Sequence, residues 1–241
     1  MTAAKNVRFC DKLLPDQPEH ANYFQDGPDY VAALYDAICR SSRIASPDEE
    51  FNLEKPDDFT IEAMASNPIS MRFLAFLIRV SGVKRVLEIG TFIGVSAMYF
   101  ARALPPGGQV VTIEKFDRFA TIARRNFASN GLAHQITLIE GDAFDVIDRL
   151  PQDEKFDLIF IDGNKERYTE YFVKTEPLLA ATGISLIDDC YFHGDAINRA
   201  PTSDKGRGVR AFLDYAATRD DYLRIALPLA NGIMMMTRRS A

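Results

Sequence analysis

The chain has 241 residues, of which 47% are hydrophobic and 26% charged, a composition that fits one large globular α/β domain. Its net charge of −6 argues against nucleic acid or an anionic membrane as the main partner, because both favour a basic surface. The three cysteines, Cys10, Cys39 and Cys190, lack metal or redox spacing, and neither a signal peptide nor a membrane-spanning run is recognisable. We therefore expect a cytoplasmic protein with reduced thiols.

The first 60 residues differ in composition from the rest of the chain. Five prolines interrupt acidic stretches there, and only residues 30–40 place apolar side chains firmly at helical spacing. We expect residues 1–60 to be a partly helical N-terminal extension and residues 61–241 to be the single large domain. The extension either covers a substrate entrance or a subunit interface, or is a plain surface arm.

From Asn67 onward, apolar runs and turn residues alternate regularly. Asn67 can cap a helix whose first turn contains Pro68. The pattern then predicts strands near 85–90, 109–114, 135–140, 156–162 and 183–188, and helices near 94–104, 117–129, 143–149 and 166–180. A last helix near 206–218 precedes strands at 222–227 and 233–237, which must be antiparallel neighbours because their connection is too short for a crossover. The predicted fold class is α/β, a doubly wound, seven-stranded, mostly parallel sheet with an antiparallel C-terminal hairpin.

Residues 86–96, VLEIGTFIGVS, are the most informative segment, since they predict a strand, a glycine turn and a helix start. A dinucleotide-binding turn has a third glycine, whereas here bulky Phe92 and Ile93 separate Gly90 from Gly94. Glu88 adds a negative charge that repels phosphate and suits a cation. This favours S-adenosylmethionine, which has an ammonium and a sulfonium but no phosphate, over the cofactor of an NAD-dependent oxidoreductase. The alternative is a plain strand end with a tight turn.

Further carboxylates follow the later strands. Glu114 ends the second strand, where such folds place an acidic group on ribose hydroxyls. Asp162 follows the fourth strand and Asp188 and Asp189 follow the fifth, so all three reach one crevice. Three carboxylates in a poorly solvated cleft repel one another unless a cation lies between them, and oxygen ligands select a hard ion such as Mg²⁺. The alternative is that these aspartates cap a helix and occupy turns.

Five motifs in this order, VLEIGTFIGVSA, VVTIE, EGDA, FDLIFIDGNKERY and LIDD, resemble the cation-dependent class I O-methyltransferases, the group of catechol and caffeoyl-coenzyme A O-methyltransferases and their bacterial relatives. The resemblance covers residues 64–238. It implies that Asp162, Asp188 and Asp189 bind the metal and that Lys165 is the general base; without the motif, Lys165 reads equally well as a solvated lysine. Asp189 departs from the family, which usually has asparagine there, and the extra carboxylate favours Mn²⁺ or Ca²⁺ over Mg²⁺ if it is ionised and coordinated.

The same resemblance implies the residues of the methyl-donor site. Glu88 and Gly90, with the backbone of Thr91 and Phe92, hold the amino-acid end, and Ser96 binds its carboxylate at the helix N-terminus. The remaining donor contacts are Glu114 at the ribose, Asp142 and Ala143 at the adenine, Met64 upstream of the first core helix, and Asp162, which the donor shares with the metal. Asp142 has an alternative role as a helix N-cap, and Met64 as a packing residue.

The acceptor side is less specific in the sequence. Tyr191, Phe192 and His193 are expected on a loop over the acceptor, although a lone loop histidine is more often neither ligand nor base. Residues 199–208 are a polar lid candidate that selects the substrate. Tyr168 matches a family tyrosine beside the site, with core packing as its alternative.

These observations predict transfer of the methyl group of S-adenosylmethionine to a metal-chelated hydroxyl of a small molecule, of the kind found in secondary metabolism. Two neighbouring oxygens chelate a metal ion best, so catechols are the leading substrate class. A hydroxyacyl group on a carrier protein would chelate the ion equally well. The alternatives are a metal-independent methyltransferase of the same fold and a catalytically silent donor-binding interaction protein, which the intact Glu114, Asp162, Lys165 and Asp188 disfavour. Relatives are often dimers, so we expect a homodimer.

Overall fold

The computed structural model describes residues 27–58 and 67–239 in two units, one reaching Ile44 and the other starting at Ala45. In the first unit, helix α1 (Gly27–Ser42) includes the predicted helical residues 30–40 and carries an ion pair of 2.5 Å between Arg40 and Asp36. The predicted donor contact Met64 lies outside the described residues. No helix in the described segments is long and apolar enough to cross a bilayer.

The second unit is built on one seven-stranded sheet with the strand order β3-β2-β1-β4-β5-β7-β6. Neighbouring strands among β1 to β5 pair in parallel, and β7 lies antiparallel between β5 and β6. The strands are β1 (Arg85–Ile89), β2 (Gln109–Glu114), β3 (Ile136–Glu140), β4 (Phe156–Ile161), β5 (Leu179–Ile187), β6 (Tyr222–Leu227) and β7 (Ile233–Arg238). The predicted fold class, including the C-terminal hairpin, is confirmed.

Helices connect the strands and cover the sheet. They are α2 (Pro47–Glu50), α3 (Pro68–Ser81), α4 (Val95–Ala103), α5 (Asp117–Ser129), α6 (Ala143–Arg149), α7 (Tyr168–Thr175) and α8 (Asp204–Thr218). Asn67 caps α3 as predicted, because its Oδ1 accepts a hydrogen bond of 2.9 Å from the backbone N–H of Ile69.

The structure differs from the sequence prediction around the fifth strand. The helix expected over 166–180 is divided into a 3₁₀ turn at Lys165–Arg167, α7, and a second 3₁₀ turn at Glu176–Leu178. Pro177 in that second turn has no N–H to continue the helix. The strand therefore begins at Leu179 rather than near Gly183, and its pairing with β4 shifts register in this first part, which weakens the strand pattern there.

Both faces of the central strands are buried, as alternation along β1 illustrates. Val86 packs into one apolar cluster with Phe100 and Phe160, whereas Leu87 points into the other, with Phe172. Because both faces are covered, ligands can reach the strands only at their ends.

Residues 51–58, which we call the strap, belong to the second unit. Phe51 is buried, packs edge-on against Tyr99 with ring centroids 4.9 Å apart, and lies under the guanidinium of Arg102 at 3.9 Å. The division predicted at residue 60 stays a prediction, and the strap, which lies before it, contributes to the core of the unit.

Candidate active site

Gly90 brings the turn after β1 against the end of β4. Its φ is +98°, and a Cβ at this position would lie 2.5 Å from the carbonyl oxygen of Asp162. Only glycine allows both this conformation and this approach. The turn from Gly90 to Gly94, which we call the donor turn after the role that the sequence predicts for it, therefore lies directly beside Asp162.

Gly94 has a different role from the phosphate-binding glycine of a dinucleotide turn. Its φ is +90°, it precedes the first residue of α4, and a Cβ there would lie 2.2 Å from the ring of Phe127. The second glycine is therefore required for packing of the donor turn against α5.

Glu88 is fully buried in β1, with no exposed surface. Its Oε2 accepts a hydrogen bond of 2.5 Å from Thr112, and its Oε1 accepts none within the described part of the chain. Burial raises the pKa of Glu88 to about 8, although the nearby hydroxyls of Ser96 and Thr112 act in the opposite direction. A buried acceptor atom without a partner beside the donor turn fits a ligand that carries a positively charged hydrogen-bond donor. Sequence reasoning missed Thr112, because its role depends on the pairing of β1 with β2.

Glu114, at the end of β2, closes the donor turn. Its Oε2 accepts a hydrogen bond of 2.8 Å from the backbone N–H of Phe92, and its Oε1 accepts one of 2.9 Å from that of Phe116. Burial raises the pKa of Glu114, and these backbone N–H groups oppose the shift. The predicted ribose contact stays a prediction; the contact with Phe92 is a second role that the sequence did not indicate.

Asp142 is the N-cap of α6, the alternative that the sequence left open. Its Oδ1 accepts a hydrogen bond of 3.0 Å from the N–H of Phe144, and its Oδ2 forms an ion pair of 2.9 Å with Lys115. The Lys115 ammonium and the Phe144 N–H lower the pKa of Asp142. Ala143, the first helical residue, is buried, so these two predicted adenine contacts sit on a fixed helix start.

The predicted metal ligands and the predicted base lie together at the ends of β4 and β5. Asp162 follows β4, and Asp188 and Asp189 follow β5. The Nζ of Lys165 contacts Asp162 Oδ1 and lies 3.0 Å from Asp189 Oδ2, and its role as the base stays a prediction. Asp188 Oδ1 accepts a hydrogen bond of 2.9 Å from the N–H of Asp189.

The charges of this cluster are poorly compensated. Burial, followed by the neighbouring charges of Asp162 and Asp189, raises the pKa of Asp188 to about 8. Burial opposes protonation of Lys165, but Asp162 and Asp189 outweigh it and hold the pKa of Lys165 well above its usual value. In this arrangement Lys165 is an ammonium, the counterion of two aspartates rather than a base.

The side chains of this cluster are chemically suited to a divalent cation, but in the described residues they are not arranged around a common metal position. Within residues 27–58 and 67–239, no three His, Cys, Asp or Glu side chains are placed to hold a metal ion together. Asp162, Asp188 and Asp189 nevertheless offer only oxygen ligands, and the raised pKa of Asp188 shows that additional positive charge would be stabilising there. The metal assignment stays a prediction.

Tyr168 forms the wall behind Lys165. It has no exposed surface, its ring centroid lies 5.4 Å from the Lys165 Nζ, and it packs edge-on against Phe212. Burial raises its pKa well above the usual value. The structure thus supports both of its expected roles, packing and proximity to the site.

The segment after Asp189 turns sharply. Phe192 and His193 have φ of 43° and 53°, and their rings lie 5.4 Å apart at the start of a 3₁₀ segment, Phe192–Ile197. His193 is exposed, and no described ligand-type side chains form a metal-binding group with it.

The lid candidate at residues 199–208 needs correction. Its second half, from Asp204, is the first turn of α8, because Ser203 Oγ accepts a hydrogen bond of 2.9 Å from the N–H of Gly206. Asp195 accepts further hydrogen bonds from Thr202 and Ser203, which hold its pKa below the usual range. The part that remains outside a helix is residues 199–203, and it is tied to Asp195.

Comparison with known proteins agrees with this geometry. The chain is 32% identical over 152 residues to a catechol O-methyltransferase of Niastella koreensis (62% of this chain, 69% of the relative) and 28% identical over 250 residues to a caffeoyl-CoA O-methyltransferase of Eucalyptus globulus (94% and 98%). Its fold matches the O-methyltransferase TomG of Streptomyces achromogenes, solved in complex with SAM, with a TM-score of 0.68, 30% identity and coverage of 82% and 88%. The sequence model of the O-methyltransferase family matches residues 46–239, and the chain belongs to this family.

Proposed function

We propose that this O-methyltransferase uses S-adenosylmethionine to methylate a hydroxyl group that lies beside a second oxygen on a small molecule, as in a catechol, with a divalent cation at its aspartate cluster. The observation that carries the proposal is the charge of the site. Carboxylates lie at the carboxyl ends of β1, β2, β4 and β5, and the Lys165 ammonium ion-pairs with two of them. They are Glu88, Glu114, Asp162, Asp188 and Asp189. Cationic ligands stabilise the ionised form of such carboxyl groups, and burial has raised the pKa of two of them, Glu88 and Asp188, to about 8.

Glu88 is the residue we assign to the ammonium of the donor. Its unpaired, buried Oε1 can accept a charge-assisted hydrogen bond, and a cationic partner lowers its pKa so that it binds as a carboxylate. Glu114 can hold the ribose hydroxyls while it keeps the donor turn closed, because each carboxylate oxygen accepts more than one hydrogen bond. TomG, solved with SAM, supports this choice of donor.

Asp162, Asp188 and Asp189 are the residues we assign to the cation. When bound, a divalent cation lowers the pKa of a coordinated hydroxyl and fixes the orientation of two neighbouring oxygens. Asp188 must be ionised to act as a ligand, and positive charge among the three carboxylates opposes both the burial and the like-charge repulsion that raise its pKa.

Lys165 is the proton acceptor in this proposal. Asp162 and Asp189 stabilise its ammonium at present, and carboxylates that are neutralised by a cation no longer do so, while burial continues to favour the neutral amine. The same aspartates therefore determine whether Lys165 holds or releases a proton. A neutral Lys165 takes the hydroxyl proton as the oxygen attacks the methyl carbon of the donor sulfonium, and the donor leaves as the neutral thioether.

A two-part assay tests this function. Purified protein is incubated with S-adenosylmethionine and either catechol or phenol, and the methylated product is measured with Mg²⁺ and with EDTA. We expect methylation of catechol with Mg²⁺, loss in EDTA with recovery on adding Mg²⁺, and little turnover of phenol, because only two neighbouring oxygens chelate. Full turnover in EDTA would contradict the role of the cation.

One observation favours the metal-independent alternative. The Lys165 ammonium ion-pairs with both Asp162 and Asp189 and offsets part of their charge from within the chain, as a site without a cation would need. Under that alternative, EDTA leaves activity unchanged and phenol reacts as well as catechol. A carrier-protein-bound hydroxyacyl substrate is distinguished by testing the same group free and attached to its carrier.

We also propose a cytoplasmic homodimer. The prediction for solution is a particle of twice the chain mass of 27.0 kDa, measured by light scattering.

A further inference from the structure

The strap is attached to the C-terminal end of α5 by two asparagine side chains, Asn126 in the last turn of the helix and Asn130 directly after its last residue. Asn126 Oδ1 accepts a hydrogen bond of 2.7 Å from the N–H of Glu54, and its Nδ2 donates one of 3.1 Å to the Glu54 carbonyl. Asn130 makes the same pair with Asn52, at 3.0 Å and 2.9 Å. Each amide thus pairs with the strap backbone much as a neighbouring strand would.

Of these two asparagines, Asn126 also holds the donor turn. Its Nδ2 donates a second hydrogen bond, 2.9 Å long, to the carbonyl of Ile93. Asn126 is 1% exposed and Ile93 is fully buried, so water cannot substitute for this bond without rearrangement. One buried side chain therefore joins the strap and the donor turn.

The donor turn is supported from two sides by this arrangement. Glu114 accepts the N–H of Phe92 on one side, and Asn126 donates to the carbonyl of Ile93 on the other. Phe92 has a φ of 49°, which an L residue adopts only when its neighbours hold it there. The two hydrogen bonds fix the peptide group before Phe92 and the peptide group between Ile93 and Gly94.

A second line of contacts connects the end of the strap to the same turn. Asp58 forms an ion pair of 2.8 Å with Arg118, whose guanidinium lies 4.4 Å from the ring of Phe119. Phe119 packs edge-on against Phe92, with ring centroids 4.8 Å apart. Both lines run from the strap to the donor turn, one reaching Ile93 and the other Phe92.

We propose that Asn126 is a positioning residue for the methyl donor, which couples docking of the strap to the conformation of the donor turn. This inference rests on the proposed function of that turn. Coupling is reciprocal, so donor binding must also strengthen attachment of the strap. Loss of the Asn126 amide frees the Ile93 carbonyl and reduces donor affinity by the worth of about one hydrogen bond, roughly three- to tenfold.

The test compares matched variants by calorimetric titration with S-adenosylhomocysteine. Asn126→Asp keeps the acceptor for Glu54 but removes both N–H donors, and Asn126→Ala removes the whole amide. Asn130→Ala is the control, because it releases Asn52 while Asn126 stays in contact with Ile93. We expect both Asn126 variants to bind three- to tenfold more weakly and to raise the donor KM more than they lower kcat, and Asn130→Ala to stay within twofold of wild type. Thermal unfolding of each variant separates loss of stability from loss of affinity.

Hydrogen exchange in the unmodified protein gives a readout that needs no variant. The donor product must slow exchange of the Glu54 N–H, because this group bonds to Asn126. Unchanged exchange at Glu54, or donor affinities that are equal in the Asn126 and Asn130 variants, would overturn the inference. Failure of the wild-type protein to bind S-adenosylhomocysteine would instead overturn the proposed function of the donor turn.

Discussion

Replacing Glu88 by glutamine isolates the cost of a buried carboxyl group. In the folded protein Glu88 keeps its proton up to about pH 8, whereas in the unfolded chain it loses the proton near 4.5. Between these values the folded state binds one more proton than the unfolded state, so the free energy of unfolding falls as pH rises. Glutamine has the same shape and does not ionise. The substitution removes this pH dependence.

The magnitude follows from the two pKa values. One pKa unit corresponds to about 1.4 kcal/mol, so the shift from 4.5 to about 8 costs the ligand-free wild type up to about 5 kcal/mol above pH 8. Urea unfolding of both proteins at pH 5, 6, 7 and 8 measures this. The free energy of unfolding of Glu88→Gln, relative to wild type, is expected to rise by about 1.4 kcal/mol per pH unit over this range.

Taking the difference between the two proteins cancels other titrating groups, including Asp188, which both contain. A difference that stays constant from pH 5 to 8 would refute the assignment of Glu88 as a protonated group in the ligand-free protein.

The same substitution tests the contact between Glu88 and the donor. Binding of a cationic donor to the wild-type protein at pH 7 must release a proton, whereas Glu88→Gln has no such proton to release. Calorimetry in buffers of different ionisation enthalpy detects this release.

Three further changes have defined outcomes. Lys165→Met should lower kcat about 10²- to 10⁴-fold with little change in donor affinity, measured by steady-state kinetics and calorimetry; a loss below tenfold contradicts its role as general base. Asp189→Asn should weaken binding of divalent cations and shift the preference among Mg²⁺, Mn²⁺ and Ca²⁺, so identical metal profiles would contradict coordination by Asp189. Gly94→Ala should lower the free energy of unfolding in urea by about 2–4 kcal/mol, because it adds a clash with Phe127 to the cost of a positive φ. Gly107→Ala is the control: Gly107 has a φ of +80° but open space around it, so the substitution should cost only the conformational part, about 1–2 kcal/mol.

The sequence identified those site features that are local. Strands β1, β2 and β4 are short apolar runs bounded by turn residues, and a carboxylate at the end of a parallel strand must reach the ligand edge of the sheet. The three-residue spacing that brought Lys165 to Asp162 is equally local. Such features depend on the order of residues and on the geometry of one element, so one sequence is enough to predict them.

Contacts between distant segments could not be predicted from the order of residues within one element. Thr112 meets Glu88 only because β2 pairs with β1 in one register, and Asn126 meets Glu54 only because the strap crosses α5. A buried asparagine or threonine carries no sequence signal for its partner, since many backbone groups satisfy it equally well. The ion pair between Lys115 and Asp142 was missed for the same reason.

The contact between Gly90 and the Asp162 carbonyl has a consequence for the reaction coordinate. The donor turn follows β1 and Asp162 follows β4, and a Cβ at residue 90, 2.5 Å from that oxygen, would push the two strand ends apart. Methyl transfer is sensitive to the distance between nucleophile and carbon, and an error of about 1 Å can cost about 100-fold in rate. Under the proposed function, the length of the path that the methyl group travels therefore depends on the absence of a side chain at residue 90.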